Sequence, residues 1–380
     1  MRHIPYSRQI IDDSDIRAVI ETLTNDFLTQ GPQITAFEEA LKRYLKVKDA
    51  ILVSNGTAAL HLSYLALELQ GAEVFTTPIT FAATANMLHA IGANIHFVDV
   101  DPLTGIMSVT ALEKALKQET SPAPKAIVPV SLQGIPADLP AIQALAKTYN
   151  AFVIEDAAHS LGGDYYCDNK IYKSASCAHT DLATLSFHPL KTICCAEGGA
   201  ITTNNPDLAQ KIRLLRNHGL KAIPNSYLRE QCYWGYNYRM TDLQAALGVS
   251  QLKRIAYFLG KRRFIAHRYA EILSQAPYNE HITITPLYED SAYHLFVIHF
   301  KNAAKRDFAY HFLKNHGIET QVHYVPLYKF ELYRKLLGDK VLPGAEAYYQ
   351  GCLSIPIYPH LTQDDQDYVL DILAQCCQQL

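Results

Sequence analysis

The chain lacks an excess of either charge: lysines and arginines number 34 against 37 aspartates and glutamates, so 34 − 37 leaves −3 over 380 residues. Without a basic surplus to neutralise a phosphate backbone, a dedicated nucleic-acid binder is disfavoured, while small anionic ligands need only a local site. Long hydrophobic runs are missing too. No stretch nears the roughly 18 uninterrupted apolar residues that span a bilayer, and the opening MRHIPYSRQIIDDSD has no apolar signal core. These absences set the expectation of a cytoplasmic protein without a membrane partner. Cysteines are few, eight in all, with two adjacent pairs (Cys194-Cys195 and Cys376-Cys377) and no C-x-x-C. They read as reduced thiols, not as a disulfide framework or zinc site, and no metal is expected. The phosphate fingerprints G-x-G-x-x-G and G-x-x-x-x-G-K-[ST] are absent, which removes the usual basis for a nicotinamide-dependent oxidoreductase or a P-loop protein.

With 49% hydrophobic residues the chain has ample material for large cores, and its length points to two or three domains. From about Phe37 to Leu247, short apolar runs alternate with helical patterns, centred near Ile51, Val74, Phe97, Val128, Ile154, Leu185 and Ile201. That alternation predicts an α/β fold with a mostly parallel sheet covered on both faces. After Met240 the run TDLQAALGVSQLKRIAYFLGKRRFIAHRYAEIL predicts a long helical connector. Beyond it, YHLFVIHF and ETQVHYVP read as strands, AKRDFAYHFLKNHG as a helix closed by glycine, and the region around Tyr368 as a final helix. The expected division is an N-terminal arm over 1–32, a large domain over 33–250 and a smaller α+β domain over 251–380.

Four stretches have residues suited to chemistry. In SNGTAALHLSYLAL, an apolar run ends at Asn55-Gly56-Thr57 and a helix begins at once. Free N–H groups at a helix start, with a glycine allowing close approach, suit a phosphate; the same residues also describe an ordinary capped helix. In AFVIEDAAHS, Glu155 and Asp156 end an apolar strand, where open α/β sheets bind ligands. Neighbouring strand residues face opposite sides, so only one of the two acids should reach a given cleft. Asp156 suits pairing with a pyridinium nitrogen, or else simply caps the following turn. His159 could flank a cofactor ring or be a plain hydrogen-bonded histidine.

The third stretch, TLSFHPLKTICCAEGGAITTN, delivers Ser186, His188 and Lys191 within six positions, with Pro189 forcing a loop. Among apolar neighbours, desolvation would lower the Lys191 pKa and free a neutral amine for imine formation; a solvated loop lysine is the plain alternative. In the fourth, YWGYNYRMTDLQAALG, Asn237 and Arg239 could reach phosphate or carboxylate groups, or belong to an ordinary loop before a capped helix.

In order and spacing, NGTAAL, TFAATAN, EDAAHS, SFHPLK, EGG and GYNYRMTD resemble the DegT/DnrJ/EryC1/StrS family of sugar aminotransferases, over almost the whole chain. The resemblance implies the aspartate aminotransferase type I fold and pyridoxal 5′-phosphate, held by Lys191 as an internal aldimine and passing through pyridoxamine phosphate. It further implies that Asp156 binds the pyridine nitrogen and that Phe81 and His159 lie against or beside the ring. Gly56, Thr57 and Ser186 would hold the phosphate, reached also by Asn237 from the other subunit of a homodimer. Within the family, TANML, HLF and ETQVHYVPLYKFELYRKL most resemble the transaminases of pseudaminic acid biosynthesis. This implies L-glutamate as donor and the C4 keto carbon of a UDP-linked 2-acetamido-2,6-dideoxy-hexos-4-ulose as acceptor, with Tyr6, His188, Arg239, His323 and Tyr324 near substrate. The chain departs from the common pattern at Ala72, at Gln133 and at Cys194-Cys195. Another nucleotide keto-sugar is the nearest alternative, and a non-catalytic homologue a more distant one.

Overall fold

A computed structural model describes residues 2–24, 27–118 and 123–380. The strands are β1 (Asp49–Val53), β2 (Glu73–Thr76), β3 (Asn94–Phe97), β4 (Pro124–Val128), β5 (Phe152–Asp156), β6 (Asp164–Cys167), β7 (Lys170–Lys173), β8 (Leu182–Ser186), β9 (Gly199–Thr203), β10 (Leu220–Ala222), β11 (Arg229–Gln231), β12 (Ile282–Ile284), β13 (Phe296–Phe300) and β14 (Cys352–Ile355). The main sheet runs β1-β9-β8-β5-β4-β2-β3, and its seven strands are the seven apolar runs of the sequence. β2, β3, β4, β5 and β8 pair in parallel, whereas β9 is antiparallel to both β8 and β1. The reversal follows from the connection: β8 returns to β9 through a short loop without the crossover helix that parallel pairing requires.

Nearly continuous burial of β1, β2, β5, β8 and β9 explains their unbroken apolar character, since helices cover the sheet from both sides. The helix Gly56–Ala66 packs on one face, where Leu60 and Leu62 join Ile51, Val53 and Ile154 in a shared core. On the other face Phe37, Leu41 and Leu45 of the helix Pro32–Leu45 meet Ala50, Leu52 and Leu185. The N-terminal helix Asp13–Leu23 starts at a capping box, the Asp12 side chain receiving the Asp15 amide and Asp15 the Asp12 amide.

The predicted connector is two helices, Asp242–Lys253 and Ile255–Leu273. Arg254 leaves helical geometry between them, and its guanidinium pairs with Asp12 and Asp15 of the N-terminal segment. A separate sheet, β12-β13-β14, carries the second core. YHLFVIHF supplies β13 as expected, and Ala303–Asn315 forms the expected helix, with Gly317 just past its end at φ +76°. ETQVHYVP is not a strand. Gln321 makes only an isolated bridge to Ser354, and the segment then leaves the sheet to line a cavity, while the third strand comes from Ile282–Ile284. No helix among the described residues is long and apolar enough to cross a membrane.

Candidate active site

A cavity of about 790 Å³ opens where β5 and β8 end and the helix Gly56–Ala66 begins. Its floor is set by the sheet. Alternation along β5 turns Asp156 into the cavity and Glu155 away from it. Glu155 is wholly buried on the far side, accepting from Ser131 Oγ and Ser174 Oγ at 2.6 Å each and from the Ala175 amide at 2.9 Å. Asp156, 5% exposed, accepts from Thr84 Oγ1 at 2.7 Å and from the Ala158 amide at 3.1 Å. Burial raises its pKa, opposed by these two hydrogen bonds and by the charge of Lys191. A carboxylate disfavoured by desolvation is one that a cationic partner stabilises, and a protonated pyridine nitrogen is such a partner.

Lys191 sits on the loop between β8 and β9. The loop is tied down by Phe187 and Cys195, whose amides donate to Gly198 O and Phe187 O at 2.8 Å, and by the buried side chains of Phe187, Ile193 and Cys195. The Lys191 amine forms no ion pair among the described residues, and burial pushes its pKa down to about 8 against the opposing pull of Asp156. Desolvation therefore brings the neutral, nucleophilic amine into reach from about pH 8, well below the ordinary lysine range.

The phosphate-like cradle lies at the helix start. Asn55 caps the helix by accepting the Ala58 amide at 2.8 Å, leaving the amides of Gly56 and Thr57 without partners among the described residues. A Cβ on Gly56 would lie 3.0 Å from Ser186 Cβ, so glycine is what allows this turn to close on Ser186. Two free amides, the dipole of the helix and two hydroxyls converge on one corner. The residues fit pyridoxal 5′-phosphate: an anion cradle, a buried carboxylate and a desolvated amine share one chamber.

Around these, His159 lines the cavity with its Nε2 3.2 Å from Tyr324 Oη, and Phe81 stands 63% exposed at the mouth with its ring 6.3 Å from that of Tyr324. Tyr6, His188 and His323 complete the rim. Burial drives the His323 imidazole down to about 3, and its Nδ1 meets Ser354 Oγ at 2.8 Å. Asn237 and Arg239 are not brought to this cavity in their own chain. Asn237 is exposed, and Arg239 turns its guanidinium to Asn217 at 2.5 Å beside a separate pocket. Sequence reasoning missed Thr84 and His294, both lining the cavity. Thr84 was within reach as the last residue of TFAAT, one helical turn after Phe81, and His294 as the first residue of the HLF run, although nothing local in that run marks it as facing a cavity. Ala72, Gln133, Cys194 and Cys195, where the chain departs from the common pattern, lie outside the lining.

The model of the DegT/DnrJ/EryC1/StrS aminotransferase family matches residues 9–374. The UDP-4-amino-4,6-dideoxy-N-acetyl-beta-L-altrosamine transaminase of Campylobacter jejuni is 39% identical over 374 residues, 97% of this chain and 96% of that one. Among solved structures, Helicobacter pylori PseC, an aminotransferase involved in the biosynthesis of pseudoaminic acid, superposes with a TM-score of 0.92 at 31% identity, covering 100% of both chains. NtdA from Bacillus subtilis, solved with bound cofactor PMP, superposes with a TM-score of 0.86 at 30% identity over 97% of this chain and 83% of its own. With this geometry and these relatives, the chain belongs to the DegT/DnrJ/EryC1/StrS family and is a pyridoxal-phosphate-dependent sugar aminotransferase.

Proposed function

We propose that the enzyme moves the amino group of L-glutamate to the C4 keto carbon of a UDP-linked 2-acetamido-2,6-dideoxy-hexos-4-ulose, as in pseudaminic acid biosynthesis, and that it works as a cytoplasmic homodimer. The observation that carries the reading is one cavity holding Lys191, Asp156 and the Gly56 cradle beneath a rim of Tyr6, His323 and Tyr324. The names of the relatives in Campylobacter and Helicobacter support the choice of sugar, as does the location of the departures from the family pattern outside the cavity lining.

When bound, pyridoxal 5′-phosphate supplies the electron sink that allows an amino group to leave one carbon and be set on another. Lys191 Nζ would hold the cofactor at rest and, once released, would carry the proton from the amino-bearing carbon to the carbon on the cofactor side, and in the opposite direction when the sugar is aminated. The Asp156 carboxylate holds the pyridine nitrogen, and Thr84 Oγ1 keeps that carboxylate in place. Gly56, Thr57 and Ser186 bind the phosphate, with Phe81 and His159 beside the ring. His188, Tyr6, His323 and Tyr324 meet the sugar nucleotide. All eight cysteines are unpaired, which supports a reducing compartment.

Asn237 of the partner subunit completes the phosphate site in this reading, and Arg239, two residues on, faces the anion of the partner's substrate. The exposure of Asn237 supports this, together with the β10–β11 hairpin beside it, where Tyr227 and Trp234 are 94% and 88% exposed. Surfaces of that kind mark contact sites. Mixed dimers test the arrangement: a Lys191→Ala subunit joined to an Asn237→Ala subunit forms one intact site and is expected to recover cofactor retention and activity. No recovery would place Asn237 in its own subunit.

The sugar is tested with a panel of purified keto-sugars and L-glutamate. The expected result is amination at C4 of the UDP-linked sugar, with 3-keto dTDP sugars used at least about 100-fold less efficiently in kcat/KM. Preference for one of those sugars would overturn the substrate assignment and leave the aminotransferase chemistry standing.

A further inference from the structure

His294 is held by its backbone more firmly than its place at the head of a strand requires. Gly134, at φ +103°, presses on it from one side: a Cβ there would lie 2.6 Å from the Tyr293 amide nitrogen and 2.8 Å from that of His294. The loop carrying Gly134 grips this segment, the Ala292 amide donating to Gly134 O at 2.9 Å and the Leu295 amide to Gln133 O at 3.1 Å. That loop is itself tied to β5. The Ser131 hydroxyl donates to Glu155 at 2.6 Å, and the Ser131 amide donates to Asp156 O at 3.0 Å. From the other side Arg262, 1% exposed, spans the carbonyls of Tyr293, His294 and Ile357 with Nη1 at 3.1, 3.3 and 3.0 Å.

On this mount the His294 imidazole is 4% exposed and faces the cavity. Neither ring nitrogen has a hydrogen-bond partner among the described residues, and Nδ1 is buried. A buried polar atom left unpaired costs stability, so hydrogen bonding within the fold does not account for a histidine here. Its nearest ring is His159, with centroids 4.2 Å apart and planes at 52°. The His159 ring has one hydrogen bond, between Nε2 and the Tyr324 hydroxyl, and an unpartnered Nδ1. Burial first, and the charge of Lys191 in addition, keeps both imidazoles neutral, so the two rings meet without repulsion.

We propose that His294 is a positioning residue: its ring, fixed through Gly134 and Arg262, holds the imidazole of His159 in the tilt at which Tyr324 bonds it and in which it meets the cofactor ring. The inference rests on the placement of His159 beside that ring and deepens it. The line of support starts at Glu155, the acid that faces away from the cavity, and passes through Ser131 and Gly134 to His294.

The test is a double-mutant cycle on full-length holoenzyme with His294→Ala, His159→Ala and both, reading the pyridoxal 5′-phosphate dissociation constant and the visible circular dichroism of the bound cofactor. Either single change is expected to weaken retention about 10-fold and reduce the dichroism, with the double variant within about 2-fold of His159→Ala alone, because residues acting through one contact are not additive. His294→Phe keeps a ring at the contact and is expected to stay within about 3-fold of wild type, so it decides the matter even if the alanine variant fails to fold. Additive losses, unchanged retention in His294→Ala, or a phenylalanine variant as weak as alanine would each overturn the proposal. A wild-type protein that binds no pyridoxal 5′-phosphate would instead overturn the underlying reading.

Discussion

The floor of the cavity hangs on the ends of β5 and β8 and the first turn of the helix Gly56–Ala66, whereas its rim comes from Tyr6, Phe81 and the 321–325 segment, which carries no strand. Floor residues inherit their positions from ladders. Asp156 is aligned by β5 pairing with β8, and Ser186 by β8 pairing with β9. Rim residues are held by side chains instead: His323 by Ser354, Tyr324 by His159, and the His323 carbonyl by the Tyr348 hydroxyl at 2.9 Å. Under the proposed function, the rigid part would serve the general amino-transfer chemistry and the part fixed by individual contacts the choice of sugar.

The largest effect expected is at the floor. Lys191→Ala should fold and lose turnover by about 1,000-fold or more, because nucleophile and proton carrier vanish together; near-normal turnover by steady-state assay would break the comparison at its base. Thr84→Val removes one hydrogen bond to a buried carboxylate, and a loss of roughly 10- to 100-fold in kcat is expected, from a charge-assisted bond worth about 1.5–3 kcal/mol. At the rim, His323→Ala should raise KM for the sugar by about 5-fold while the half-reaction with L-glutamate stays within about 2-fold. If His323→Ala instead slowed the glutamate half-reaction as strongly as the sugar half-reaction, the division between floor and rim would fail.

The smallest effect is a pH dependence. Lys191 is protonated below its pKa of about 8 and neutral above it. Uptake of pyridoxal 5′-phosphate by cofactor-free protein should therefore quicken as pH rises to about 8 and then level off. Continued acceleration toward the ordinary lysine range would show that Lys191 is not desolvated.

The floor was legible in the sequence because its determinants are local. Alternation along a strand ending in Glu155-Asp156 lets only one acid face the cleft, the EDAAHS resemblance points to Asp156 as that one, and Pro189 after β8 forces the loop that presents Lys191. The seven apolar runs became the seven strands of the main sheet for the same reason. What was not legible depends on contacts far apart in the chain. The break at Arg254 is accompanied by ion pairs with Asp12 and Asp15, more than two hundred residues upstream. ETQVHYVP has strand-like composition, yet only Gln321 finds a bridge. His294 is placed by Gly134 and Arg262, neither of which is near it in sequence.

The central claim is that this cavity takes an amino group from L-glutamate through Lys191 and bound pyridoxal 5′-phosphate. The visible absorption spectrum of the purified protein, recorded before and after adding L-glutamate, tests it most directly. A cofactor band that disappears in favour of the pyridoxamine form in the wild type, and is not converted to that form by L-glutamate in Lys191→Ala, is the predicted result. A protein that shows no band even with added pyridoxal 5′-phosphate, or a band indifferent to L-glutamate, would contradict the account.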